Sequence, residues 1–210
     1  MSYKVTLDKI ADVVKEIIVN KGKGLEIETE DFGWNNYRYV SNHFRIAHIE
    51  RYSDKNLEVL HITTFPNKNS PNPIFGFDVI TTDKKPLAAF LDYSPTINKA
   101  TYKSDITFNT LYNLPDWAKS IFSEDAIAII PSEDDLSILA KVVEDAYSKY
   151  LDMCIEVIPS TELDLIKNHQ NYYCEQQQKN ERTFNVLKAK LGEDRARYFM
   201  STILFPKIIQ

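Results

Sequence analysis

The sequence predicts an α/β fold: one domain, residues 1–210, with a central antiparallel sheet of six to seven strands and helices on its faces. Three observations carry this. Both ends of the chain space their apolar residues at the helical period. Between about 25 and 93, short β-rich runs follow one another through turns too short for parallel crossovers. The 210 residues hold no repeat, low-complexity tract or linker, and they suffice for one sizeable core.

The elements follow in chain order. Residues 3–20 place Leu7, Ile10, Val13, Val14, Ile17 and Ile18 on one helical face, and 21–24 end that helix. Strands are expected near 25–29, 36–41, 44–52, 57–65, 75–82 and 86–93. Turns at 33–36, 53–56 and 82–85 carry the residues that turns require. Pro66, Pro71 and Pro73 make 65–73 a longer loop. The stretch 94–125 reads as irregular, with short helices. The apolar run 126–130 reads as a further buried strand. Ser132 offers an N-cap, with Asp135 three residues on, to a helix burying Leu136, Leu139, Val142, Val143, Ala146 and Tyr147. A helical stretch from Thr161 to Lys190 is long enough to require a break near Asn180. Gly192 suits a C-cap, and a last helix at 193–203 closes the chain.

Composition narrows the function. Hydrophobic residues make up 43% and charged residues 26%, ordinary for a globular protein. No run approaches the roughly 20 apolar residues of a membrane helix. The first residues carry charges through their apolar part, unlike a signal peptide. Cys154 and Cys174 are then expected as free thiols in a cytoplasmic protein. They are too few for a four-cysteine iron–sulfur cluster. Net charge is −5, which argues against broad nucleic-acid binding. From Lys179 onward, however, Lys179, Arg182, Lys188, Lys190, Arg195, Arg197 and Lys207 outnumber Glu181, Glu193 and Asp194. Such a surface suits an acidic partner or ligand carboxylates, and equally a solvated helix face. No G-x-G-x-x-G or Walker loop is present, so a nicotinamide or flavin site is not expected. A redox enzyme of this composition would draw electrons from a protein donor.

Strand alternation gathers the polar candidates. One face of 44–52 carries Phe44, Ile46, His48, Glu50 and Tyr52; one face of 57–65 carries Leu57, Val59, His61, Thr63 and Phe65. The short turn between them pairs the strands. Asp78 follows in NPIFGFDVI, with Gly76 two residues earlier leaving room for a flat ligand. Its sequence neighbours Phe77 and Val79 would raise the pKa of that acid. Each residue has a structural alternative: a strand histidine is often a satisfied core group, and Glu50 can pair with Arg51 or Lys55. No metal-ligand spacing appears, and no metal is expected. Asn180, Glu181, Arg182 and Thr183 sit where the long helix breaks, a place where polar residues commonly cap.

The segments FRIAHIE, LHITTFP, NPIFGFD and YYCEQQQKNERTFNVLKAKLGEDRARYFMSTILF, with looser matches in LDYSPT and LPDWAKSIFSE, together resemble the ferredoxin-dependent bilin reductases, nearest the phycocyanobilin-forming branch. The resemblance implies an α/β/α sandwich that takes biliverdin IXα between the sheet and the C-terminal helices. It implies four-electron reduction by ferredoxin docking near the basic C-terminal segment, by a monomer with no bound cofactor. It implies catalytic roles for Asp78, His61, Glu50 and Glu181, and substrate contacts from His48, Asn180, Arg182 and Thr183. Two positions depart from the family pattern. Glu181 stands where an aspartate is usual, and Tyr112 where an arginine is usual. Short viral-type relatives include enzymes making phycoerythrobilin, so phycocyanobilin is only slightly favoured as product, and a non-catalytic bilin carrier is a further alternative.

Overall fold

The computed structural model describes residues 3–108 and 110–209. The chain opens with α1 (Tyr3–Asn20), which buries Leu7, Ile10, Val14 and Ile18. It turns sharply at Gly24, where a Cβ would lie 2.5 Å from Ile18 Cγ2. Seven strands follow: β1 (Leu25–Ile27), β2 (Asn35–Val40), β3 (Phe44–Ser53), β4 (Leu57–Pro66), β5 (Ile74–Thr82), β6 (Pro86–Ser94) and β7 (Ile127–Ile129). Each pairs antiparallel with its sequence neighbour, so the sheet order is β1 to β7 without a crossover. The turns explain the meander. Asp54 Oδ1 accepts from the amides of Asn56 and Leu57, both at 2.8 Å. Thr82 Oγ1 accepts from those of Lys84 and Lys85.

The helices are α2 (Asp116–Lys119), α3 (Glu133–Glu156), α4 (Leu163–Gln177), α5 (Glu181–Leu191) and α6 (Glu193–Tyr198), the last widening into a π-helical turn at Phe199–Leu204. Ser132 and Asp135 form the expected capping box at the start of α3. The long C-terminal stretch breaks at Asn180, as its length requires. Asn180 Oδ1 accepts from the Thr183 amide and starts α5. Gly192 ends α5 with φ +79°, a conformation that favours glycine.

These elements make the expected three layers. α1 and α3 cover one sheet face, burying Ile49, Leu60, Ile62, Phe75, Phe77 and Val79 in a dry core. Each fully buried side chain there contributes about 1.5–3 kcal/mol. α4, α5 and α6 cover the other face through Phe65, Ile74, Tyr173, Cys174, Phe199 and Leu204. This second cover is incomplete, and the gap holds the polar strand residues. Among the described residues, no helix is long and apolar enough to cross a membrane.

Candidate active site

Register decides what the polar strand residues do. Glu50 pairs with His61, His61 with Asp78, and Asp78 with Phe90, forming one row across β3 to β6. A parallel row runs Arg38, His48, Thr63, Gly76, Asp92. Cross-strand partners share a face, so both rows lie under the C-terminal helices.

His61 is the centre. Its Nδ1 lies 2.7 Å from Asp78 Oδ1, and its Nε2 lies 2.5 Å from Thr63 Oγ1. Burial pulls the imidazole toward the neutral form. The Asp78 charge and hydrogen bond, aided by the Glu50 charge, overcome this and raise its pKa. His48 behaves oppositely. Burial, then the neighbouring His61 and Arg38 charges, push its pKa well below the usual value. Its Nε2 is 3.0 Å from Asn36 Oδ1, which makes Nε2 the donor, while Nδ1 is buried without a partner. The rings of His48 and His61 lie 5.8 Å apart. Burial raises Glu50 to about 7, against the opposing pull of His61 and of the Trp34 indole that donates to Oε1 at 2.8 Å. The sequence expectation that Phe77 and Val79 would desolvate Asp78 fails on geometry. Both point to the opposite face, and the Asp78 side chain keeps 31% of its surface.

Above the first of these rows lies a cavity of ≈ 790 Å³, within the roughly 300–1,000 Å³ of small-molecule sites. Glu50, His61 and Asp78 form part of its floor. Asn180, Glu181, Arg182 and Thr183 meet them from the start of α5. Arg182 Nη1 donates to the Tyr112 hydroxyl at 2.6 Å, so the two departures from the family pattern sit on this wall or beside it. His48, expected among the substrate contacts, does not line the cavity. It is 1% exposed and touches the site through His61. Sequence reasoning missed Trp34, because a tryptophan in a turn carries no chemical signal until its partner is known. It also missed Phe90, Phe122 and Phe205, aromatic walls drawn from three separate segments. Among the described residues, no group of three or more His, Cys, Asp or Glu side chains is placed to hold a metal.

A family model described as ferredoxin-dependent bilin reductase matches residues 18–206. The chain belongs to the ferredoxin-dependent bilin reductases. As a bilin reductase it is an oxidoreductase, and its relatives agree. Phycocyanobilin:ferredoxin oxidoreductase of Prochlorococcus marinus is 33% identical over 195 residues, covering 84% of this chain and 76% of that protein. The enzyme of the same name from Synechococcus elongatus is 30% identical over 197 residues, covering 86% and 78%. The solved structure of PcyX matches with TM-score 0.70 and 25% identity, over 97% of this chain and 99% of that one. Tomato phytochromobilin synthase, solved in complex with biliverdin, shares the fold with TM-score 0.71 at 17% identity, covering 93% and 81%. The row of Glu50, His61 and Asp78 thus faces the cavity of a bilin reductase.

Proposed function

We propose that this bilin reductase takes four electrons from reduced ferredoxin and converts biliverdin IXα to a phycobilin, with phycocyanobilin as the favoured product. The observation that carries the reading is the Glu50–His61–Asp78 row on the cavity floor. Reducing two double bonds adds four electrons and four protons. Ferredoxin supplies electrons singly, so the protein must place protons beside the pigment between electron transfers. Imidazolium at His61 and a neutral carboxyl at Glu50 are both populated near neutrality, which suits proton delivery at two separate points. Asp78 holds His61 protonated and, with a third of its surface open, reaches the pigment as the central acid. His48 supports His61 from the neighbouring row. Asn180, Arg182 and Thr183 close on the pigment from α5, and Glu181 adds a further acid on that wall.

The pigment is the redox centre in this reading, and no bound cofactor is invoked. The monomer receives ferredoxin near the basic C-terminal segment. Five of that segment's seven bases are already in ion pairs: Lys188, Lys190, Arg195, Arg197 and Lys207. Exposed pairs of this kind contribute only about 0–1 kcal/mol, so an acidic partner can compete for them. A second reading has phycoerythrobilin as product: with Tyr112 in place of the usual arginine on the cavity wall, held by Arg182, one propionate contact is lost or moved, which changes how the pigment sits.

An anaerobic assay with biliverdin, ferredoxin and a ferredoxin-reducing system tests the proposal. Phycocyanobilin by chromatography is the expected result. Phycoerythrobilin would shift the second reduction to the other end of the pigment. Biliverdin that binds without change would leave a carrier in place of an enzyme of this substrate.

A further inference from the structure

The two oxygens of Glu50 have unlike surroundings. Oε1 accepts the indole Nε1–H of Trp34 at 2.8 Å. An indole nitrogen donates and never accepts, and a carbonyl oxygen accepts more strongly than a hydroxyl oxygen, so this bond favours Oε1 as the carbonyl and Oε2 as the oxygen that carries the proton. Oε2 has no hydrogen-bond partner among the described residues, yet it is not among their sealed, unpaired atoms. Since Glu50 lines the cavity, Oε2 is the oxygen open to it. The indole is held from three directions. Its ring sits 5.4 Å from Tyr52 and 5.5 Å from Phe199, both edge-on, and 6.1 Å from Phe32. Asn36, opposite Glu50 in the register, is engaged elsewhere: it meets His48 and the Trp34 carbonyl.

We infer that Trp34 is a positioning residue, holding the Glu50 carboxyl so that its proton sits on Oε2 and faces the bound pigment. This rests on the role proposed for Glu50. Other groups around the carboxyl act on its charge as a whole: His61 from β4 lowers its pKa and Asp78 from β5 raises it. Tyr52, with Lys190 from α5 over its ring, lies one step along β3. Only Trp34 contacts a single oxygen. It thus does two things at once. It favours the carboxylate, limiting the rise that burial causes, and it selects the oxygen from which the proton leaves.

The test compares wild type with Trp34→Phe, which keeps a ring in the aromatic cluster and removes the N–H. Titration of the Glu50 carboxyl, read by infrared or carbon-13 NMR in the pigment-free protein, moves upward by about one pH unit in the variant. The alkaline limb of the turnover profile moves with it. In a Glu50→Gln background the same substitution leaves that profile unchanged. An unchanged Glu50 titration in Trp34→Phe overturns the inference. A wild-type measurement covers a variant that does not fold: the Trp34 indole N–H resonance titrates with Glu50, and in Glu50→Gln it does not. A flat indole signal beside a crippled Glu50→Gln overturns the Trp34 inference alone. A titrating indole beside wild-type turnover in Glu50→Gln overturns instead the proton-donor role of the carboxyl that Trp34 would serve.

Discussion

Glu50, His61 and Asp78 lie in one row, yet they hold protons for different reasons. Burial raises the Glu50 carboxyl to about 7, whereas the charge and hydrogen bond of Asp78 raise His61 against burial. This difference predicts two behaviours. Because Glu50 donates only when protonated, turnover falls as pH rises through about 7, the value to which burial pushes it. A pH–rate profile checks this, and Glu50→Gln removes that limb. The linked effect on folding has the same sign. A carboxyl with a raised folded-state pKa favours the folded state at low pH, and stability declines as pH climbs from 4.5 to about 7. The second prediction concerns Asp78→Asn. Without the carboxylate, only the Glu50 charge is left to offset the burial of His61, so its pKa falls and the row's cation is weakened. Biliverdin still binds, while reduction stalls at a coloured one-electron intermediate that visible and paramagnetic resonance spectra detect. Turnover at the wild-type rate would remove Asp78 from the mechanism.

Elements matter here chiefly where they end. Helix α5 has 11 residues and buries only Leu187, so it draws little stability from packing. Short helices are marginal alone, and their caps weigh heavily. Asn180→Ala removes the acceptor for the Thr183 amide and costs about 0.5–2 kcal/mol. Because Glu181, Arg182 and Thr183 ride on that first turn, the loss is expected locally: faster amide exchange in α5 and weaker biliverdin binding, with the sheet unaffected. The strands respond differently. Their side chains are fixed by register with neighbours on both sides, and the site row runs through the middle of the sheet, where neither edge can fray it.

For the molecule as a whole, the sheet separates stability from chemistry. Its α1 and α3 face is dry, and its other face is partly open. Phe77 and Asp78 are adjacent in sequence and belong to opposite sides. Phe77→Ala should cost about 3–5 kcal/mol in denaturant unfolding, while the protein that remains folded keeps its pH profile. Partner binding belongs to this scale as well. Lys188→Glu weakens association with ferredoxin several-fold at low ionic strength, and the difference shrinks as salt screens the surface. A salt-independent difference would place the docking surface elsewhere.

Much of this was legible in the linear chain, for physical reasons. Strand and helix periods, turn residues and the Ser132 box act within a few residues, so every main element was expected close to its observed place. Period-2 alternation also put His48 and Glu50 on one face, with His61 on the matching face of the next strand. What the chain could not show was everything set by register and by distant packing. Whether His61 meets Asp78 depends on which residues pair, and a slip of one position would separate them. That His48 lies behind the cavity, that Trp34 reaches Glu50, and that Arg182 meets Tyr112 across 70 positions are outcomes of layers closing on each other. Burial, which sets the Glu50 proton at about 7, likewise exists only once those layers close. The sequence by itself determined the elements and the family; tertiary structure decided which side chains touch and which of them keep a proton, because both depend on neighbours that the chain brings together only on folding.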